Sequence, residues 1–313
     1  MYEPTACESV RVVGKALRLS FNPALPDPTP WQELLRTISV WGDARQADFG
    51  HMHVGVVGPG SVGALVAEAL ARMGVGRISL VDFDRVERHN LDRLLHSTGR
   101  NLGERKVTVL ARAISESAAA ALFRALAVAE SIADQPGYRA ALDCDVLFSC
   151  VDRPWPKRVL NHIAYGHLVP VVDGGISIFA PKSVLKRADW SVRTVGPHRA
   201  CLECTKAYDP GLSSAEMDGY LDQPRYIEGL PEDHPLRRNE NVFPFSMSVA
   251  AAEVLQLVAL VTGMKRMWEV GEQRCHYYPG FMEVKEVACV PGCPHQKLIA
   301  RGDAEFMLAK IRE

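Results

Sequence analysis

The side chains able to do chemistry in this sequence gather just past a glycine turn. Gly58, Gly60 and Gly63 spell GxGxxG, and Asp82, Asp84, Asn90, Arg93 and Lys106 follow within residues 53–106. A turn of this kind brings backbone N–H groups close to phosphate at the positive end of a helix. Gly58 and Gly60 suit that approach, and Gly63 suits close packing of helix on strand. Asp82, at the next strand end, could accept hydrogen bonds from ribose hydroxyls. Up to that point the pattern says only "nucleotide". A nicotinamide site needs one acidic residue there and nothing special beyond it, whereas this chain goes on to Arg93 and Lys106. Two cations beside the pocket suit a triphosphate, whose negative charge grows and moves as pyrophosphate leaves. The bland alternatives are exposed helical charge for Arg93 and Lys106, and a turn or cap for Asn90. An NAD-dependent oxidoreductase is the rival enzyme.

The elements that must position these groups are legible as periodicity. The apolar run at 53–57 predicts a strand buried on both faces. Val62, Leu65, Val66, Ala69 and Leu70 predict a helix, and residues 77–81 a second strand ending at Asp82. A helix at 107–117, a strand at 122–128 and a buried strand at 145–150 follow. The last of these puts Asp152 at a carboxyl end, where open α/β sheets bind ligands; the plain alternative is an N-cap. A helix at 157–166 and a strand at 168–172 extend the alternation, which predicts a right-handed, doubly wound parallel sheet. Asp173-Gly174-Gly175 reads as a turn, with no role given to Asp173. Residues 182–195 read as antiparallel strand, 205–240 as a mobile crossover loop, and 245–260 as an apolar helix that is buried or at a dimer interface. Two strands at 268–278 and 281–287 and a surface helix at 303–312 complete the chain. Before the nucleotide unit, Val10, Val12, Leu17 and Leu19 suggest short strands, and 31–41 an amphipathic helix with Leu34, Leu35, Ile38 and Trp41 on one face.

The eight cysteines include two close pairs, Cys201 and Cys204 in CxxC and Cys289 and Cys293 one residue wider. Such pairs suit a tetrahedral zinc held by four thiolates, with His295 able to replace one ligand; a redox CxxC is the alternative. A net charge of −1 gives no electrostatic reason to expect nucleic acid or an anionic membrane. No run approaches the ~18 apolar residues of a membrane span, and the N-terminus does not read as a signal peptide. The expected location is cytoplasmic, where cysteines serve as thiols or metal ligands.

With these residues in place, the sequence resembles the ThiF/MoeB/HesA family of ubiquitin-activating-type adenylyltransferases over residues 45–293. The most specific part is DFDxVxxxNLxR, Asp82 to Arg93, with Lys106 thirteen residues on. The resemblance implies a Rossmann-like, mostly parallel sheet with an antiparallel extension and a structural zinc. It implies ATP and Mg2+ as cofactors, with Asp82 and Asp84 at the nucleotide and the glycines at the phosphates. Asn90, Arg93 and Lys106 would meet the β/γ-phosphates and the reacting carboxylate, and Asp152 would hold Mg2+. Arg45, in a degenerate Arg-Gln segment, would reach into the partner subunit's site of a homodimer, with Arg36 as the other candidate. The substrate implied is the C-terminal carboxylate of a ubiquitin-like β-grasp protein or a peptide, leading to a conjugating enzyme or a sulfur carrier pathway. Two departures stand out. Leu94 replaces the usual glutamine, and residues 205–245 contain no cysteine for a thioester. Cys7, Cys144, Cys150 and Cys275 remain, of which Cys144 and Cys150 read as core thiols. A scaffold that binds the β-grasp partner without turnover is the non-catalytic alternative. The expected divisions are 1–48, an N-terminal extension; 49–200, the adenylation domain; and 201–313, the crossover loop, buried helix and last strands.

Overall fold

The computed structural model describes residues 7–14, 16–29, 32–222, 240–263 and 271–304. A hairpin of β1 (Ser9–Val13) and β2 (Leu17–Phe21) precedes α1 (Leu35–Trp41) and α2 (Asp43–His51). The nucleotide-type unit follows as β3 (His53–Val57), α3 (Ser61–Arg72) and β4 (Arg77–Val81). Next come α4 (Lys106–Ser117), β5 (Arg124–Val128), α5 (Gln135–Leu142), β6 (Val146–Ser149), α6 (Pro154–Gly166) and β7 (Val171–Phe179). The chain continues through β8 (Arg187–Val195), α7 (Pro210–Met217), α8 (Phe243–Thr262), β9 (Glu272–His276) and β10 (Phe281–Lys285).

One eight-stranded sheet runs β10-β9-β8-β7-β6-β3-β4-β5. Strands β7, β6, β3, β4 and β5 are parallel, and β8, β9 and β10 add on antiparallel, as the α/β reading with an antiparallel extension expects. Every residue of β3 and β6 is buried, because helices cover both faces of the sheet. β3 has β4 on one side and β6 on the other, so the chain reverses its direction of travel between them. That switch point opens a crevice past the ends of β3 and β6.

Several local expectations need correction. Asp173, Gly174 and Gly175 do not turn; they lie inside β7, paired with Arg193, Val192 and Ser191 of β8. Leu35 is 65% exposed and leaves the apolar face of α1 to Leu34 and Ile38. The crossover stretch is not loop throughout, since Asp209 caps α7 by accepting from the Leu212 N–H. α8 is long and apolar enough to cross a bilayer by length and composition, which the reading of short runs missed, yet 67% of its most apolar window is buried inside the protein. It serves as a core helix, packed on α3, β7 and β8. Trp31, residues 223–239 of the crossover stretch, the start of the 268–278 strand and most of the 303–312 helix lie outside the described residues.

Under the crevice sits a buried ionic group that no local pattern announced. Lys157 Nζ lies 2.5 Å from Asp173 Oδ1, and Arg193 Nη1 lies 3.6 Å from Asp173 Oδ2. Ser149 Oγ donates to Asp173 Oδ1 at 2.7 Å. Glu253 of α8 is fully buried against this group, filling the space a Cβ on Gly174 would need. Burial, then the Asp173 carboxylate, push the Glu253 carboxyl well above its usual range, with Lys157 opposing and the Cys150 thiol beside it. The folded chain therefore keeps the Glu253 proton to higher pH than the unfolded chain, which releases it near pH ~4.3. This contribution to stability is complete below that pH and declines as pH rises toward the folded value. Glu253→Gln removes the decline. We expect its melting temperature to exceed that of the wild type by about 3 °C or more at pH 8, with the gap closing toward pH 4; calorimetry showing a pH-independent gap would contradict this.

Candidate functional site

A cavity of about 1450 Å³ opens over the switch point, larger than the roughly 300–1,000 Å³ of a single small-molecule pocket. Its first part is built on the turn after β3. Gly58 has φ +81°, and a Cβ there would lie 2.8 Å from the Cys150 carbonyl oxygen. A Cβ on Gly63 would collide with the Gly58 carbonyl, while one on Gly60 would meet only the Gly58 carbonyl oxygen at 4.0 Å. The Gly58 N–H is spent on Val81 O at the end of β4, and the Gly60 N–H on Gly58 O within the turn. The donors left for a phosphate are those of Ser61, Val62 and Gly63, the first turn of α3, which no side chain caps. The glycines thus shape the cradle, and the helix supplies its hydrogen bonds.

Asp82, Asp84, Asn90, Arg93, Lys106 and Asp152 all line this cavity together with Gly58 and Gly60. The structure brings them together from four places: the end of β4, the loop after it, the start of α4 and the end of β6. Lys106 Nζ is held 2.7 Å from Asp84 Oδ2, and Arg93 donates to His89 O at 2.7 Å and to Asp92 Oδ1 at 2.8 Å. Asn90 accepts from the Glu87 N–H at 3.1 Å, the cap of a short 3-10 turn, so it serves a local structural purpose as well. Burial pushes Asp82 up to about 6; the Asp84 N–H opposes the shift, the Asp84 carboxylate adds to it, Lys106 opposes it and Asp152 adds. Asp82, Asp84 and Asp152 line the same cavity, and carboxylates gathered in this way can serve as oxygen ligands to a hard cation. Leu94 is buried in the core at the cavity wall.

Arg45 does not line the cavity of its own chain. It lies on α2, half exposed, 3.0 Å from Asp48 Oδ2. Gln46 is buried and donates to Met73 O. Arg36 is likewise on the surface, on α1.

The second part of the cavity was not legible in sequence. Its lining continues from Lys157 and Asp173 along β7 and β8 to Ser191, Arg193 and Arg274. Gly175 has nothing within 4 Å of where a Cβ would stand, leaving an open floor. The signal that could have found it was Asp173-Gly174-Gly175, set aside as a turn.

Cys201, Cys204, Cys289 and Cys293 converge elsewhere, their sulfurs all within 4.8 Å of one another. Cys201 and Cys204 lie 3.7 and 3.8 Å from Cys293, near the ~3.8 Å edge of a tetrahedron with ~2.3 Å metal–sulfur bonds. Cys201 N–H, Cys204 N–H and the Gln296 amide each donate to one of the sulfurs. Burial pushes the Cys201 and Cys204 thiols up, so a bound metal would have to displace their protons. At Cys289 burial is outweighed by hydrogen bonds, and the thiol falls below its usual range. The set fits a structural zinc, to which its sulfurs would supply all four ligands. His295 is not among the clustered ligand atoms, and its Nε2 faces Glu203 Oε2 at 3.3 Å. Burial pushes Cys144, Cys150 and Cys275 up as well, the inert condition expected for the first two.

The family model described as "ThiF family" matches residues 32–288. The tRNA threonylcarbamoyladenosine dehydratase of Escherichia coli (strain K12) is 31% identical over 144 residues, 44% of this chain and 52% of the relative. The molybdopterin-synthase adenylyltransferase of the same organism is 30% identical over 125 residues, 38% and 47% of the two chains. The ubiquitin-like modifier-activating enzyme 5 of Drosophila willistoni is 28% identical over 134 residues, 40% and 33%. The chain thus spans about half or less of the length of these relatives. Among solved structures, E. coli MccB with MccA-N7isoASN has a TM-score of 0.66 at 16% identity, over 86% of this chain and 75% of that one. At that identity the likeness is one of fold.

Elemental analysis of the purified full-length protein should find about one equivalent of zinc per chain, falling below about 0.3 in Cys293→Ser, with a lower melting temperature after chelation. A metal-free wild type of unchanged stability would rule the site out.

Proposed function

The chain belongs to the ThiF family, and from that premise we propose that it is an ATP- and Mg2+-dependent adenylyltransferase. Its substrate, on this reading, is the C-terminal carboxylate of a ubiquitin-like β-grasp protein or a peptide, activated as an acyl-adenylate. The observation that carries the reading is that Arg93 and Lys106 line the same cavity as Gly60 and Asp152. Had they faced elsewhere, only a nucleotide fold would remain.

In this reaction a carboxylate oxygen attacks the α-phosphorus of ATP, the new P–O bond forms, and the bond to the bridging oxygen breaks to release pyrophosphate. No proton moves and no protein nucleophile is needed. Catalysis therefore rests on orientation and on charges placed where the leaving group accumulates charge. Asp82 would accept from the ribose, the first turn of α3 would donate to phosphate oxygens, and Arg93 and Lys106 would neutralise the departing pyrophosphate with Asn90 beside them. Asp152, with Asp84 near by, would hold Mg2+, which supplies charge neutralisation on the phosphates. Zinc on the four cysteines would fix the fold and take no part. The open floor past Gly175 supports an extended tail as the carrier of the carboxylate. The raised thiols of Cys144, Cys150 and Cys275 favour adenylation without a thioester step. Arg45, exposed on α2, is offered to a second copy in a homodimer.

A second reading draws on the name of one relative, which acts on a tRNA nucleoside; there the carboxylate would sit on a modified base. Mass spectrometry after incubation with ATP separates the two by showing whether an adenylyl group appears on a small protein or peptide, or whether tRNA alone is consumed. A change in NADH absorbance without pyrophosphate exchange would refute both.

Lys106→Ala and Arg93→Ala should each lower kcat for pyrophosphate exchange by about 10²- to 10³-fold, with a smaller change in KM. A pure rise in KM would mean uniform binding and no leaving-group role. Nucleotide affinity should weaken as pH falls through about 6, where Asp82 takes up its proton. Asp82→Asn should flatten that dependence in a binding titration.

A further inference from the structure

Ser61, the first residue of α3, carries a hydroxyl beside one of the N–H groups left for a phosphate, and it lines the cavity. Its Oγ donates at 2.6 Å to Ser246 Oγ, far along the chain on the first turn of α8. Ser246 is fully buried, and its own Oγ–H donates to Asn241 Oδ1 at 2.9 Å. Asn241, just before α8, lines the same cavity as Ser61. A hydroxyl has one proton. That of Ser246 is spent on the Asn241 carbonyl oxygen, so the proton between the two serines belongs to Ser61. In this arrangement Ser61 has only lone pairs left to offer the cavity.

We infer that Ser61 is a phosphate-binding residue whose hydroxyl proton is held back or released by Asn241, a positioning residue that acts through Ser246. The inference rests on the adenylyltransferase reading for the phosphate at the start of α3. Within one serine, three bonds separate Oγ from the backbone nitrogen, so an oxygen that accepts the Ser61 N–H lies within reach of its hydroxyl. A phosphate oxygen only accepts, and it meets lone pairs while the Ser61 proton points to Ser246. The asparagine side chain ends in both an acceptor and a donor. Turning its amide by half a turn presents Nδ2 to Ser246 Oγ; the Ser246 hydroxyl then rotates to donate to Ser61 Oγ, and that of Ser61 to the phosphate. Each group keeps a partner, and no proton changes its owner. Ser246, sealed from water, has no solvent with which to break the chain, and leaving it unpaired is costly. An aspartate at 241 lacks the second state, because an ionised carboxylate cannot donate.

The test is ATP binding by the full-length protein in calorimetry, with Mg2+ present. Ser61→Ala should weaken ATP about tenfold, the worth of one hydrogen bond to a charged group. Asn241→Asp should weaken it at least as much, because Ser61 is then fixed as a donor to Ser246 and a negative charge joins the cavity wall. Adding Ser246→Ala separates these two effects: the charge stays, the chain is broken, and the Ser61 hydroxyl is free to donate. Asn241→Asp/Ser246→Ala should therefore bind ATP about fivefold or more tighter than Asn241→Asp. In a Ser61→Ala background the same addition should recover nothing. A double variant as weak as Asn241→Asp leaves charge alone as the cause and overturns the inference, as does an Asn241→Asp variant of unchanged affinity. Should Asn241→Asp fold poorly, Ser61→Ala decides by itself, and wild-type affinity in that variant overturns the inference. A wild type that binds no ATP overturns the nucleotide reading beneath it.

Discussion

The site depends on how closely α3 approaches the end of β3. Gly63 permits that approach, because any side chain there would strike the Gly58 carbonyl. With the helix start seated so near, its unpaired N–H groups face the crevice, and the partial positive charge of the helix end falls where phosphate would lie. The cations then need only to arrive from the far wall. Lys106, as the first residue of α4, and Arg93, in the loop before it, do so because β4 delivers the chain to the same side of the sheet. The site is a consequence of strand direction, and its residues are spread along the chain for that reason.

The floor of the cavity poses the opposite problem. Lys157, Asp173 and Arg193 are buried charges, costly unless each finds a partner. Asp173 meets two cations and a hydroxyl, and burial beside that carboxylate raises the proton affinity of Glu253. Such a group favours one packing of α8 on β7 over its neighbours, because Glu253 fills the space left at Gly174 and a shift of α8 would vacate it. Precision at the floor of the cavity is thereby tied to a helix that itself lines none of it.

What the sequence could show follows from range. The β3-α3-β4 unit was legible because strand, turn and helix each carry their own period and punctuation within thirty residues. Asp173-Gly174-Gly175 misled because its composition is that of a turn, whereas pairing of all three with β8, and of Asp173 with β6 as well, overrode that preference and Glu253 occupied the space that Gly174 leaves. Leu35 misled because helical period fixes a face without fixing where that face ends. The hydrogen-bonded chain from Ser61 through Ser246 to Asn241 was out of reach, since its two ends share no local motif. The cysteine pairs, by contrast, were legible across a long gap, since few other uses demand two close pairs of thiols.

The four sulfurs also tie residue 201 to residue 293, so the chain carrying α7, α8, β9 and β10 departs from and returns to one point. Closing such a circuit costs entropy that grows only with the logarithm of its length. Added segments within that circuit would therefore leave its two ends where they are. A circuit closed at one point can thus change in length at little entropic cost, which leaves room for variation in what it carries.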